Sequence, residues 1–396
     1  MDEMDNLYLK VLQKNRMLTD GFHYTVPSAD TYPYQWLWDS CFHAIILSHY
    51  KADDAKAEIF ALLSKQLPNG MIPHMIYWKN SRKAAFPKIE WGKDGTSTIT
   101  QPPMLAYAVW QIFKEDKDRK FLEQIYTHLY HFYKYLLNDR DPHEKHLIGI
   151  MNPDESGEDN SPRFDLPLGL PPKQTRDQSL KRRLELVTQN IECKFDAPFC
   201  MRNFFWVKDT AFNSIMVANL KLLAKIAAEL KIDEDAIYFM KQAEDIAIAM
   251  REFMMDDGLF YSTYGKDYKK IKVKTWAIFT PLFAEILSRE EATKLVTKHL
   301  FNKKEFWPKY PVPTTALDEP AFDPKGFWRG PTWIATNWFI YKGLMKYGLK
   351  EEAEEIKRSS LELIDKSGFR EYFNPLTGEG LGAKNFTWGG LALDMD

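Results

Sequence analysis

Two loops of this 396-residue chain gather side chains that can move protons. Residues 149–163 hold four carboxylates, Asp154, Glu155, Glu158 and Asp159, among the turn-formers Asn152, Pro153, Gly157 and Pro162. A solvated acidic turn has the same composition, but this one interrupts a long apolar helical pattern and belongs to a set of aromatic-rich loops. A carboxyl group beside apolar groups loses solvation and binds its proton more tightly, which suits it to general-acid work near neutral pH. On chemistry alone, Asp159 and Glu155 are equal candidates. Residues 368–382 carry a further carboxylate, Glu371, in a glycine-rich stretch flanked by Phe369, Tyr372 and Phe373. Glu371 could also simply pair with Arg370. An Asp and a Glu facing each other across an aromatic cleft make the arrangement for glycoside hydrolysis: one protonates the leaving oxygen, the other activates water.

Other loops add groups of matching type. Trp36, Trp38 and Asp39 stand at the start of a helical pattern, where Asp39 could equally be an N-cap. Arg329 lies between Trp328 and Trp333, and Gln101 precedes Pro102 and Pro103. Flat aromatic faces suit sugar rings, and polar groups between them read hydroxyls; core packing would use the same tryptophans, and a structural cap the same glutamine. Metal and phosphate chemistry lack support. The nine histidines include an i, i+3 pair on a helical stretch, His128 and His131, without carboxylates nearby, and there is no HExxH, GxGxxG, GxxxxGK[ST] or GxSxG. No metal and no cofactor are expected.

The elements that must position these groups are helices. Apolar residues recur at helical spacing, as in Phe212, Ile215, Met216, Leu223 and Ile226, and period-2 alternation is rare. Twelve helices are predicted near 2–18, 38–50, 53–66, 101–115, 119–137, 207–230, 234–254, 273–287, 289–300, 332–347, 349–367 and 385–395, with another near 173–189. Ser288 and Glu291 read as a capping box, and Gly348 and Gly368 as C-terminal stops. Short charged connections alternate with long ones rich in Trp, Tyr, Gly and Pro, at 32–39, 68–101, 151–207, 308–332 and 370–388. Helical hairpins stacked in a ring put the elaborate loops at one end, which predicts an all-α (α/α)6 barrel. No linker divides it, so residues 1–396 are read as one catalytic domain with a loop and helix insertion at about 160–205.

Composition narrows the class of function. Lys and Arg number 53 against 55 Asp and Glu, a net charge of −2, without the basic excess of a nucleic-acid or anionic-membrane binder. Aromatic residues make up 14% of the chain. The three cysteines, Cys41, Cys193 and Cys200, are too few for a disulfide framework, the first residues lack a signal-peptide pattern, and the uncharged stretch 95–113 is too polar to span a bilayer. A cytoplasmic enzyme with a small-molecule sugar substrate is expected, with neither nucleic acid nor membrane as partner; a homo-oligomer is compatible with the composition.

Taken in order, residues 34–43, Glu155-Ser156-Gly157 with Asp159-Asn160-Ser161, residues 327–333, Glu371-Tyr372 with Asn374-Pro375 and Thr377-Gly378, and Phe386 with Trp388 resemble glycoside hydrolase family 63. These are (α/α)6 α-glycosidases of the trehalase clan, and the short form is most similar to the mannosylglycerate and glucosylglycerate hydrolase branch. The resemblance implies Asp159 as general acid and Glu371 as general base of an inverting reaction. It implies that Trp38, Asp39, Gln101, Trp328, Arg329 and Trp333 line the sugar subsite, and Trp36 is taken as a further substrate-binding residue beside them. One position departs from the pattern: the family has an aromatic before the acid, and here Glu158 stands there, where a second carboxylate would raise the pKa of its neighbour or admit a different aglycone. A glycerate aglycone calls for a cation, and Arg202, with Arg163 and Lys208 as alternatives, is the expected one.

Two rival readings remain. Sugar epimerases share the toroid but need paired histidines at the pocket, whereas this sequence puts carboxylates in its aromatic loops. A non-catalytic carbohydrate-binding toroid would need no acid and base at all.

Overall fold

A computed structural model describes residues 3–78, 91 and 95–395. Residue 2 of the first predicted helix, much of the 68–101 connection, and residues 1 and 396 of the expected domain lie outside the described residues. The helices are α1 (Glu3–Asn15), α2 (Leu37–Ser48), α3 (Ala52–Leu63), α4 (Leu105–Asp116), α5 (Arg119–Asp139), α6 (Asp165–Leu168) and α7 (Arg176–Glu192) in the first half. They continue with α8 (Ala197–Asn203), α9 (Thr210–Glu229), α10 (Asp233–Phe253), α11 (Thr280–Ala284), α12 (Arg289–Leu295), α13 (Ile334–Lys346) and α14 (Lys350–Ser367), and a 3-10 helix, Thr387–Asp394, closes the chain.

Two kinds of helix are built, and their sequences say why. All twelve residues of α2 are buried, as are ten of the thirteen in α13, so these helices are enclosed on every side and sit inside the fold. By contrast α5 buries Phe121, Leu122, Ile125, Tyr126, Leu129, Phe132 and Leu136 on one stripe and leaves polar residues outside. The inner elements close a ring: α2 packs on α4, α4 on α9, α9 on α11, α11 on α13, α13 on the C-terminal 3-10 helix, and that helix back on α2. Behind them stand α3, α5, α10, α14 and α1, against α2, α4, α9, α13 and the C-terminal 3-10 helix respectively. The fold is an (α/α)6 barrel, as the alternating connections predict. In α13, Gly343 lets the ring close tightly, since a Cβ there would stand 2.7 Å from the Cβ of Leu282 in α11. By length and composition α9 could cross a bilayer, but 78% of its most apolar window is buried in this ring.

Every long connection leads into the N-terminal end of an inner element, and the short ones lie at the opposite end. Backbone bridges tie the long loops to one another: Ile150 with Val207, Lys208 with Thr263, Thr275 with Thr315, Pro313 with Thr332, and Thr332 with Phe373. The positive ends of the inner helix dipoles thus point toward the loop end, which favours acidic side chains there.

Several local expectations are corrected. The first helix stops at Asn15 because Arg16–Thr19 and Phe22–Thr25 form a hairpin around Asp20 and Gly21, both in the left-handed region, the Asp-Gly turn that such ribbons favour. Residues 101–104 lie outside the helix: Met104 donates back to the Pro102 carbonyl and holds the N-cap position, so α4 begins at Leu105. The predicted 273–287 helix is a 3-10 turn, Trp276–Phe279, followed by the short α11, which ends on left-handed Glu285. Both Ser288 and Glu291 make the capping box, and Gly368 caps α14. Asp39 is not an N-cap: Trp36 holds that position in α2, and Asp39 is the third helical residue. Cys193 and Cys200 are bonded to each other and Cys41 is free, which weakens the argument from cysteine usage to a reducing compartment.

Candidate active site

The ribbon Arg370–Phe373 with Gly380–Lys384 presents Glu371. Its Oε1 accepts the Tyr32 hydroxyl at 2.6 Å and its Oε2 accepts the Ala383 amide at 2.7 Å. Gly382, at φ +64°, leaves room for this carboxylate, because a Cβ there would lie 2.2 Å from Oε2. Burial pushes Glu371 up to about 7, and the charges of Asp159 and Asp39 add to the rise, while the Tyr32 and Ala383 hydrogen bonds oppose it.

Asp159 follows a 3-10 turn, Pro153–Ser156, whose end at left-handed Gly157 packs directly on the Trp38 indole. Its Oδ2 pairs with Arg183 Nη1 at 2.5 Å, and the other arm of Arg183 reaches Asp154 at 2.6 Å. The charge of Asp159 acts on both Glu371 and the Tyr32 phenol, so the two carboxylates lie within electrostatic reach of each other. Asn160 fixes the loop next to Asp159: its amide donates to the Gly326 carbonyl and its oxygen accepts from the Trp328 amide.

The other loop carboxylates are structural. Glu155 is buried, paired with Arg140 and accepting from the Thr100 and Met151 amides, so it is not free to serve as an acid. Glu158 takes both arms of Arg163 and the Trp276 indole N–H. That corrects the expectation attached to it: its carboxylate is occupied inside the barrel rather than set beside the substrate.

The tryptophans cluster, with Trp38, Trp328 and Trp333 buried in the core, as the core-packing alternative also allows. Trp328 and Trp333 stack at 3.8 Å, Trp333 stacks on Tyr372 at 5.0 Å, and Trp38 meets Trp388 edge-on at 5.0 Å. Trp36 packs edge-on against Tyr32 and His74. Asp39 accepts from the Trp388 indole at 2.6 Å, and burial raises it to about 6 against the pull of His43 and that bond. Gln101 accepts from the Trp38 amide, the structural-cap alternative, which also ties two loops at the site. Arg329 is a staple: it grips both oxygens of Asp165 and the carbonyls of Asn160 and Pro172.

The cations proposed for an acidic aglycone are misplaced. Arg202 is exposed on α8 and donates to the Pro142 carbonyl. Arg163 is buried between Glu158 and Asp209, and Lys208 is buried with Asp141. Arg183, which sequence reasoning missed, is the guanidinium in contact with Asp159. Tyr32 was missed too, although it lies in the same aromatic cluster as Trp36; Arg183 sits in a Lys-Arg-Arg run that reads as a solvated helix face. Among the described residues no cluster of three or more His, Cys, Asp or Glu is arranged to hold a metal.

The family model described as "Mannosylglycerate hydrolase MGH1-like glycoside hydrolase domain" matches residues 32–389. The chain belongs to this family. The glycoside hydrolase is 32% identical to the mannosylglycerate hydrolase of Thermus thermophilus, covering 96% of this chain and 97% of that one. It is 28% identical to the glucosylglycerate hydrolase of Mycolicibacterium hassiacum, covering 91% of each. The crystal structure of a family 63 mannosylglycerate hydrolase from Thermus thermophilus with Tris and D-glycerate superposes with a TM-score of 0.89, at 32% identity and 99% coverage of both chains. Membership in this glycoside hydrolase family sets aside the epimerase and the non-catalytic readings.

Proposed function

We propose that the protein is an inverting α-glycoside hydrolase acting on small α-mannosyl or α-glucosyl glycerates, with Asp159 as general acid and Glu371 as general base. The observation that carries this reading is the pair itself: Glu371, oriented by Tyr32 and Ala383, in the electrostatic field of Asp159. In the reaction a water oxygen attacks the anomeric carbon, and Glu371 takes the water proton. As the glycosidic C–O bond breaks, the proton on Asp159 passes to the leaving oxygen. Half-buried Trp36 supplies an apolar face for the sugar, the buried Trp38, Trp328 and Trp333 form the floor of the subsite, and Asp39 accepts from the sugar hydroxyls. Arg183 is the cation for a glycerate carboxylate, in place of Arg202.

The substrate class follows from the names of the two curated relatives and from the D-glycerate bound in the related structure. This reading takes residues 1–396 as one catalytic domain, with the 160–205 segment as an insertion that brings Arg183 to the acid. It keeps the enzyme in the cytoplasm on its low cysteine count, with the Cys193–Cys200 bond as the observation against. The test is a proton NMR time course on α-mannosylglycerate and α-glucosylglycerate. The first hexose released should be the β-anomer; release of the α-anomer overturns the inverting assignment, and no release from either substrate overturns the substrate class.

A further inference from the structure

A general acid must offer a proton to the leaving oxygen when the glycosidic bond breaks, yet the Asp159 Oδ2 is held by Arg183 Nη1 at 2.5 Å. Arg183 is shared between two acids, through Nη2 to Asp154 and Nη1 to Asp159, and its Nε and the Oδ2 of Asp154 are buried without partners. The two acids are not equivalent. The Asp154 side chain is 12% exposed, whereas that of Asp159 is 22% exposed and reachable by a ligand. The helix that carries Arg183 is lightly docked: of the seventeen residues of α7, only Leu186, Val187 and Asn190 are buried, so its first half can adjust at little cost.

We propose that Arg183 is a charge gate: it keeps Asp159 paired and inactive until an anionic group on the aglycone takes over its Nη1 arm, so that only a carboxylate-bearing substrate frees the acid to take up a proton. Asp154 is the anchor. It retains the Nη2 arm throughout, so the exchange is a small swing of one guanidinium, and the incoming carboxylate replaces the lost charge one for one. Asp159 then takes up a solvent proton and passes it to the leaving oxygen, and the proton that Glu371 takes from the attacking water returns to solvent, which closes the cycle. Asp154 and Arg183 act here as positioning residues, and aglycone selectivity resides in turnover more than in binding. This gate rests on the reading of Asp159 as the acid.

The experiment compares three substrates of the preferred sugar: the glycerate glycoside, the corresponding glyceryl glycoside in which a hydroxymethyl group replaces the carboxylate, and the α-glycosyl fluoride, whose leaving group needs no proton. For the native enzyme, kcat should fall about a hundredfold from glycerate to glyceryl glycoside with a smaller change in KM, and the fluoride should be hydrolysed without any carboxylate. Arg183→Met should bring the two kcat values within about threefold of each other, by lowering the first and raising the second, with a native far-UV circular dichroism spectrum and a cooperative thermal transition reporting that the variant is folded. Asp154→Asn should leave the kcat ratio above that of Arg183→Met and below native. Discrimination by the native enzyme through KM alone, or an unchanged kcat ratio in Arg183→Met, overturns the gate while leaving the hydrolase reading intact. Failure of the native enzyme on the glycerate glycoside with continued fluoride hydrolysis overturns the glycerate reading, and the gate with it.

Discussion

The Tyr32 hydroxyl donates to Glu371 across 2.6 Å, joining residues from opposite ends of the chain at the group read as the base. The bond stabilises the ionised carboxylate against its burial. Tyr32→Phe removes it, so Glu371 should hold its proton to higher pH. Since a base works only when ionised, the acidic limb of the kcat/KM profile, set near pH 7 by Glu371, should move to higher pH, and kcat at pH 7 should fall by about tenfold. An unmoved limb in the pH–rate profile would remove Tyr32 from this role.

Burial of Glu371 should also be visible in stability. Its folded value of about 7 lies above the usual 4.5, so the protonated form favours folding. That contribution is complete below pH 4.5 and is lost as pH rises to about 7, a decline of about 3 kcal/mol. Glu371→Gln, which never ionises, should therefore match the native protein near pH 4.5 and exceed it by up to about 3 kcal/mol at pH 8 in urea denaturation, while losing nearly all turnover. A variant less stable than native at pH 8 contradicts this account.

Arg329 clamps Asp165 while also gripping the Asn160 carbonyl, next to Asp159. Removing one partner of a buried pair leaves the other charged and unsatisfied, at a cost of about 3 kcal/mol or more. Arg329→Met should lower stability by that order and loosen the acid loop, so that kcat drops while the KM for sugar changes less. A rise in KM with unchanged kcat would place Arg329 on the sugar instead.

Arg202 offers the opposite expectation. It is exposed and bonded only to the Pro142 carbonyl, so Arg202→Ala should leave kcat/KM within about twofold of native for a glycerate glycoside. A hundredfold loss would restore it as a carboxylate ligand.

The helical barrel could be read from periodicity because burial on one face writes itself into local sequence, as in α5. The choice between Glu155 and Asp159 could not. Both sit in one acidic loop, and what separates them is the arginine each meets, Arg140 for one and Arg183 for the other. The same limit hid the true setting of Glu158, fixed by Arg163 and by Trp276 far along the chain. Gln101 and Arg329 were singled out for their chemistry, but their partners, the Trp38 amide and Asp165, turn them into ties between loops. The Asp20-Gly21 dipeptide is a hairpin signal, but the apolar pattern of α1 hid it by suggesting a helix that runs past Asn15.

The Trp388 indole closes on Asp39, and the Tyr8 hydroxyl on the Thr387 carbonyl, where the last inner element of the ring meets the first. A nascent chain on the ribosome can assemble its hairpins one after another, since each pairs with a neighbour in sequence. The sugar subsite cannot form in that way. It waits for these final contacts of very high sequence separation, whose loop-closure entropy makes them late. Activity should therefore lag behind the recovery of helical signal during refolding, with the ring's closing seam as the slow step.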